Sequence, residues 1–199
     1  MRRVSRLLLA GLTHELLVLA RNLGHEVVAA TDPAWPGGRW HGLDVYSGDG
    51  PAIKAGGFDA VILGIDGPGA RRSVLDFYQR AGIPIADLVG GRLGEGTTHG
   101  PGLVIQRDAQ LSEDCRAGDG LRLNVGANVM HEVTLGDCVS VAPGAVILSK
   151  VRVGSLTYVG ANATVLPGIS IGSGCMVGAG AVVTKDVPDA ATVKGNPAR

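Results

Sequence analysis

The sequence predicts two folds in series: a small parallel α/β sheet over residues 1–98 and a parallel β-helix over residues 99–199. Three observations carry that reading. A period of six residues runs from about residue 103 toward the C-terminus. The first hundred residues lack it and alternate short apolar runs with helix-length segments. Glycine accounts for 32 of 199 residues while aromatics make up only 4%, a balance that favours close, regular backbone packing over a ring-filled core.

The opening stretch, MRRVSRLLLAGLTHELLVLA, sets arginines before an apolar run as a secretory leader does. His14 and Glu15 interrupt that run and no small-residue cleavage site follows, so a strand (SRLLLAG) and then a helix are expected. The helix runs from Glu15 to Leu23, with Leu16, Leu17, Leu19 and Leu23 available for packing. A second strand, HEVVAATD, ends at Asp32, and FDAVILGI is a third. Arg71 to Arg80 reads as a second helix and IPIADLV as a last strand. Elements alternating at these lengths imply a parallel sheet with helices on its faces. WPGGRW, from Trp35 to Trp40, is a loop by its Pro and Gly content, and Gly90 to Gly102 a connector.

Beyond it the six-residue period is strict. Ile105, Leu111, Ala117, Leu123, Val129 and their successors to Val183 fall six apart, and 13 of those 14 positions are Ile, Leu or Val. Four residues after each comes a second set of small or apolar residues, among them Ala109, Cys115, Leu121, Ala127 and Val133. Neither a strand nor a helix has period six, so each hexad reads as one short strand and one turn. Three hexads close a triangular rung, and the whole repeat makes roughly four and a half rungs. Corner pairs such as Pro143-Gly144 and Pro167-Gly168 punctuate it.

Lys plus Arg equals Asp plus Glu, at 18 each. That argues against a basic nucleic-acid footprint or a polybasic membrane patch, and no run is long enough to span a bilayer. Cys115, Cys138 and Cys175 are odd in number and form no CxxC. They read as buried apolar residues in a reducing, cytoplasmic setting.

Inside GANVMHEVTLGDCVSVAPGA a His131-Glu132 pair falls at a corner of its hexad, where a side chain projects outward from the coil. Glu132 can accept from one ring nitrogen and leave the other free as a base near neutral pH. Only His99 and His131 lie in or near the coil.

The His131-Glu132 corner, the VAPGA after it, VGAGAVVTKDVP from Val177 to Pro188 and the closing VKGNPAR resemble the sugar-nucleotide acetyltransferases of the bacillosamine and perosamine N-acetyltransferase group. The resemblance covers essentially the whole chain. It implies a Rossmann-like N-terminal domain, a left-handed coil, acetyl-CoA as co-substrate without a metal, a nucleotide-linked amino sugar as acceptor, surface-glycan biosynthesis as pathway, and a homotrimer with its active site at the seam between coils. It assigns His131 as proton acceptor and Glu132 as the residue that raises its basicity. Contacts to CoA fall on Ser140, Ala161 and Ala179, with Lys194 and Arg199 as candidates for its phosphates. Gly11, Thr13 and His14 would lie over the nucleotide, Asp32 would accept from a base or ribose hydroxyl, and Gly64 would let the ligand approach.

Each of these has a plainer reading, since glycines serve turns and Asp32 before Pro33 is a good turn former. The first βα turn departs from the family: AGLTH keeps one glycine where relatives carry a Gly-x-x-Gly-His-type loop. Arg71 and Arg72 at a helix start oppose its dipole and hint at an anion nearby. Acetylation of a sugar or sialic acid hydroxyl, or a non-catalytic scaffold, remain open. A zinc lyase does not, because it needs three converging histidines.

Overall fold

Leu7, Leu8, Leu9 and Ala10 are all buried, a run rather than an alternation, because β1 (Arg6–Ala10) is a central parallel strand covered on both faces. In the computed structural model, which describes residues 5–199, it pairs with β2 (Glu26–Thr31) on one side and β5 (Ala60–Leu63) on the other. Between them α1 (His14–Asn22) buries Leu16, Leu17, Leu19 and Ala20. The chain then adds a hairpin, β3 (Arg39–Trp40) and β4 (Leu43–Tyr46), followed by α2 (Asp49–Ala55) and, after β5, α3 (Pro68–Arg80). The sheet order is β3-β4-β2-β1-β5, parallel except for the hairpin.

Three expectations need correction. WPGGRW is not loop to its end, since Arg39 and Trp40 pair with β4 through a turn whose His41 and Gly42 both have positive φ. Such a turn matches the twist of a hairpin. α3 begins at Pro68, whose fixed φ suits a first helical turn, so Arg71 and Arg72 stand inside the helix. IPIADLV divides: Ile85 bridges to Val61 in the small sheet, while Leu88–Val89 is already the first strand of the coil.

The coil therefore starts about ten residues before the expected boundary at 98/99. Its first rung carries Leu88–Val89, Arg92–Leu93 and Thr98–His99, which pair with Val104–Ile105, Gln110–Leu111 and Arg116–Ala117 above them. The six-residue spacing holds from Leu93 through His99 to Ile105, whereas Val89 stands only four residues before Leu93. The aliphatic signature fades because an end rung has nothing beneath it to pack against.

Above it the strands are parallel and each pairs with the strand 18 residues later, as Gln110 does with Asn128 and Asn128 with Val146, until the last pair, Met176 with Thr192, closes at 16. The faces hold seven, six and five strands. Both apolar sets point inward and fuse into one core, from Leu103 and Ile105 up to Val183 and Val187. One residue per hexad takes a positive φ at the corner. Glycine fills half of these sites, and Asp108, Asp114, Glu132, Cys138, Lys150, Leu156 and Asn162 fill the rest from 102 to 180.

The N-terminal domain rides on the seven-stranded face. Leu19 and Leu88 share a core with Val104, and Leu75 of α3 packs with Cys138. Gly120 makes that approach possible, since a Cβ there would sit 3.0 Å from Leu75 and 3.1 Å from the Cys138 sulfur.

Candidate active site

His131 occupies the corner between the six-stranded and five-stranded faces, after Asn128–Val129 and before Thr134–Leu135. This corner is opposite the seven-stranded face on which the N-terminal domain sits. The ring is half-exposed. Its Nδ1 lies 3.0 Å from Glu132 Oε2 and its Nε2 lies 2.8 Å from Ser149 Oγ. A carboxylate only accepts, so Nδ1 carries the proton and Nε2 presents its lone pair, to which the Ser149 hydroxyl donates. That tautomer is the one a general base needs.

Two features hold the pair in place. Glu132 takes the positive-φ corner position (φ 60), which turns its carboxylate back toward the ring, and its N–H donates to Glu113 O one rung below. Lys150, 18 residues on and also at positive φ, stands 3.8 Å from the same Glu132 oxygen. Beside the corner runs a groove of about 440 Å³, lined by Glu132, Thr134, Lys150, Arg152 and Gly168. Its two cations suit a phosphorylated ligand.

Residues 150–185 match the bacterial transferase hexapeptide family (six repeats). No curated protein sequence matches the chain. Among solved structures, the acetyltransferase domain of PglB from Neisseria gonorrhoeae, in complex with acetyl coenzyme A, is 25% identical, superposes with a TM-score of 0.91 and covers 98% of both chains. Perosamine N-acetyltransferase from Caulobacter crescentus, solved as a histidine-to-asparagine mutant with CoA and GDP-perosamine, is 25% identical with a TM-score of 0.92 over 98% of this chain and 96% of that one. WeeI from Acinetobacter baumannii shares the fold at 24% identity and TM-score 0.87, covering 98% of each chain.

The chain has the fold of the hexapeptide-repeat acyltransferases. Its coil is the left-handed β-helix of those structures and its N-terminal domain their Rossmann-like sheet.

Within the acyltransferase fold, the residues expected at CoA do not meet His131 in one chain. Ala161 and Ala179 lie one rung apart at the corner between the seven- and six-stranded faces, and Gly180 N–H donates to Ala161 O. Lys194 and Arg199 are exposed and joined by two backbone hydrogen bonds near the coil's upper end. Ser140 is different. It is 1% exposed, and its hydroxyl accepts from Arg71 Nη2 at 2.8 Å and donates to Asp66 O at 3.1 Å. It serves the seam between the domains and has no free face toward a groove.

The arginines of α3 also part from expectation. Arg71 answers to carbonyls, not to an anion: Nε donates to Gly120 O, Nη1 to Ile65 O and Asp66 O, and Nη2 to Cys138 O and Val139 O besides Ser140. Burial pushes its guanidinium down to about 10, which leaves it charged at neutral pH. Arg72 pairs with Asp76 and Asp137 at 2.8 and 2.9 Å. Sequence reasoning missed Arg122, 1% exposed at the same seam. Its Nη1 lies 2.8 Å from Asp66 Oδ1, yet neither Nη has a hydrogen bond with acceptable geometry, so the contact is a close but misaligned ion pair. Burial lowers its pKa as well, opposed by Asp66 and Glu15.

At the head of the small sheet, Gly11 (φ +92) and Gly64 face each other. A Cβ on Gly64 would come within 2.7 Å of Gly11 O, and one on Gly11 within 2.9 Å of Gly64 O. Their smallness serves the packing of the β1 and β5 ends, and Thr13 Oγ1 donates to Gly64 O across the same gap. His14 stacks on His41 at 4.0 Å, with Trp40 edge-on to both. Asp32 caps its own turn, accepting from Ala34 N–H at 2.8 Å. Sequence reasoning also missed Asp49, whose Oδ1 accepts from Thr31 and Tyr78 at 2.7 Å each. Burial, and after it the bond to Asp49, push the Tyr78 hydroxyl far above its ordinary range.

Proposed function

We propose that the chain moves an acetyl group from acetyl-CoA to the amine of a nucleotide-linked amino sugar, with His131 as general base. The observation that carries this is the Glu132–His131 pair at an open corner, its Nε2 lone pair directed away from the carboxylate. The thioester is already activated, so the reaction needs a deprotonated amine held close to it. His131 Nε2 takes the amine proton as nitrogen attacks the thioester carbonyl, and Glu132 stabilises the imidazolium that results. The proton then goes to the departing thiolate. Support comes from the similarity to structures that hold acetyl coenzyme A, or CoA with GDP-perosamine.

The acceptor nucleotide belongs in the crevice at the C-terminal ends of β1 and β5, where Gly11, Thr13, His14, Asp32 and Gly64 gather. That crevice adjoins the seven-stranded face, whereas His131 stands on the corner opposite. One chain does not join its own acceptor site to its own base, and a homotrimer closes the gap with closed symmetry and a shared site at each seam. Ala161 and Ala179 of a neighbouring coil then complete the CoA groove beside His131. The substrates and the three buried free cysteines suit a cytoplasmic role in surface-glycan biosynthesis.

Two measurements test the reading. Thermal-shift assays with UDP-, GDP- and dTDP-amino sugars, with and without acetyl-CoA, should raise the melting temperature for one nucleotide class. His131→Asn should lower turnover by about 10³-fold or more while light scattering still reports a trimer. Unchanged turnover in that variant excludes His131 as the base, and an active monomer excludes the shared site.

A further inference from the structure

Two buried guanidiniums meet at the seam between the domains, and only one of them is satisfied. Arg71 spends its donors on carbonyls and the Ser140 hydroxyl. Arg122, close enough to act on the Arg71 charge, projects from the strand Arg122–Leu123 of the seven-stranded face and is 1% exposed. Its Nε donates to Asn124 Oδ1 at 3.3 Å, whereas neither Nη has a hydrogen-bond partner. Asp66, 2.8 Å from Nη1, is the one carboxylate within ion-pair reach of it among the described residues, and that side chain is 76% exposed. Two buried cations thus share one close carboxylate that faces solvent, and leaving buried charge poorly compensated is costly. An orphaned buried fork of donors calls for an anion or an ordered water.

The surroundings favour the anion. Contacts lead from the fork to the head of the small sheet: Asp66 follows Gly64 by two residues, Thr13 Oγ1 donates to Gly64 O, and Glu15 in the first turn of α1 acts on the Arg122 charge at longer range. Thr13 holds the N-cap position of α1, but its hydroxyl is turned to Gly64, so no side chain caps the first-turn N–H groups. Uncapped amides at a helix N-terminus attract negative charge. The main chain of Asp66 is fixed, because its carbonyl accepts from Arg71 Nη1 and Ser140 Oγ. Its carboxylate, mostly in water, is free to swing out. We infer that the Arg122 fork binds a phosphate of the acceptor's diphosphate, with the Asp66 carboxylate as the placeholder that the phosphate displaces. The inference rests on the nucleotide-linked acceptor proposed above and names the side chain that grips it. A planar guanidinium offers two parallel N–H donors to a phosphate, a fit that an ammonium lacks. The single glycine of AGLTH then has a counterpart: a side chain from the coil supplies the hold that a glycine-rich turn supplies from backbone.

Isothermal titration of the full chain with UDP, GDP, dTDP, their parent nucleosides, inorganic pyrophosphate and CoA tests this. The nucleoside diphosphate that the wild type binds best should lose about 10–100-fold in affinity in Arg122→Met. Arg122→Lys keeps the charge without the fork and should fall between that variant and the wild type. Asp66→Asn should move the other way, tightening the diphosphate by about 3-fold or more, because the competing charge is gone. Nucleosides and CoA should stay within about 2-fold of wild type throughout. A merely structural ion pair predicts no gain from either partner, so unchanged or weaker binding by Asp66→Asn overturns the inference, as does full affinity in Arg122→Lys. Those two variants carry the test even where Arg122→Met fails to fold. A loss confined to CoA, which bears the same diphosphate chemistry, overturns the assignment to the acceptor. A bound nucleotide indifferent to Arg122 sinks the inference and leaves the nucleotide-linked acceptor standing. If the wild type binds no nucleoside diphosphate, that acceptor falls while pyrophosphate still reads the fork: binding that Arg122→Lys weakens upholds a phosphate site, and no binding removes it.

Discussion

The coil and the N-terminal domain solve the same burial problem in opposite ways. In the coil each hexad repeats one arrangement, with two inward apolar positions, a positive-φ corner and a strand pairing 18 residues away. No side-chain polar contact is required to define it, and the core is a continuous stack of Ile, Leu, Val, Ala and Cys. Among the described residues the N-terminal domain has five strands and three helices, and it leans on single polar side chains. Arg71 ties α3 to carbonyls on the β5 loop and on the coil, and Asp49 ties α2 to β2 and α3. Repetition distributes stability over many equivalent contacts, whereas a singular fold concentrates it in a few.

Replacing one member from each region separates these cases. Arg71→Met should have the largest effect, a loss of roughly 3–5 kcal/mol in urea denaturation, because it strands buried carbonyls at Gly120, Cys138 and Val139 together with Ser140. The loss should appear as two separated transitions, the N-terminal domain first. A single undivided transition contradicts the view that Arg71 is the pin between the parts.

Leu123→Ala, deep in the coil, should cost about 2–4 kcal/mol and leave the melt cooperative, since the rungs above and below remain paired. The smallest effect is a gain. Leu156 has φ 62 and a half-exposed side chain, so Leu156→Gly should stabilise by up to about 1 kcal/mol through relief of the left-handed penalty. Differential scanning calorimetry reads the sign, and destabilisation there means that packing outweighs strain at the corners.

The contrast also explains what sequence reading achieved. The hexads are legible because position in the repeat and position in space coincide, so Ile105 to Val183 mark the interior without any knowledge of the rest of the fold. His131 and Glu132 were legible for the same reason, as a polar pair at a corner. Ser149 was within reach too, since a residue 18 places beyond the histidine stacks on it, yet nothing in LSKVRVG distinguishes that serine from a solvated corner. In the N-terminal half β1, α1, β2 and β5 were found from their apolar runs. The two-residue β3 and the short α2 were not, because neither buries enough side chain to imprint a pattern. Arg71, Arg72 and Ser140 were read as ligand contacts because an arginine or serine in sequence carries no record of which carbonyls surround it.

What the sequence determined on its own is the spiral and the outer corner that carries the His131-Glu132 pair. Steric repetition every six residues leaves the chain no other way to bury its aliphatics. Only the tertiary structure decided which face carries the small sheet, which polar groups are consumed in joining them, and that a hydroxyl completes the line from Glu132 through His131. Those outcomes depend on where α3 and the corner columns come to rest, and contacts between residues far apart in the chain set that position.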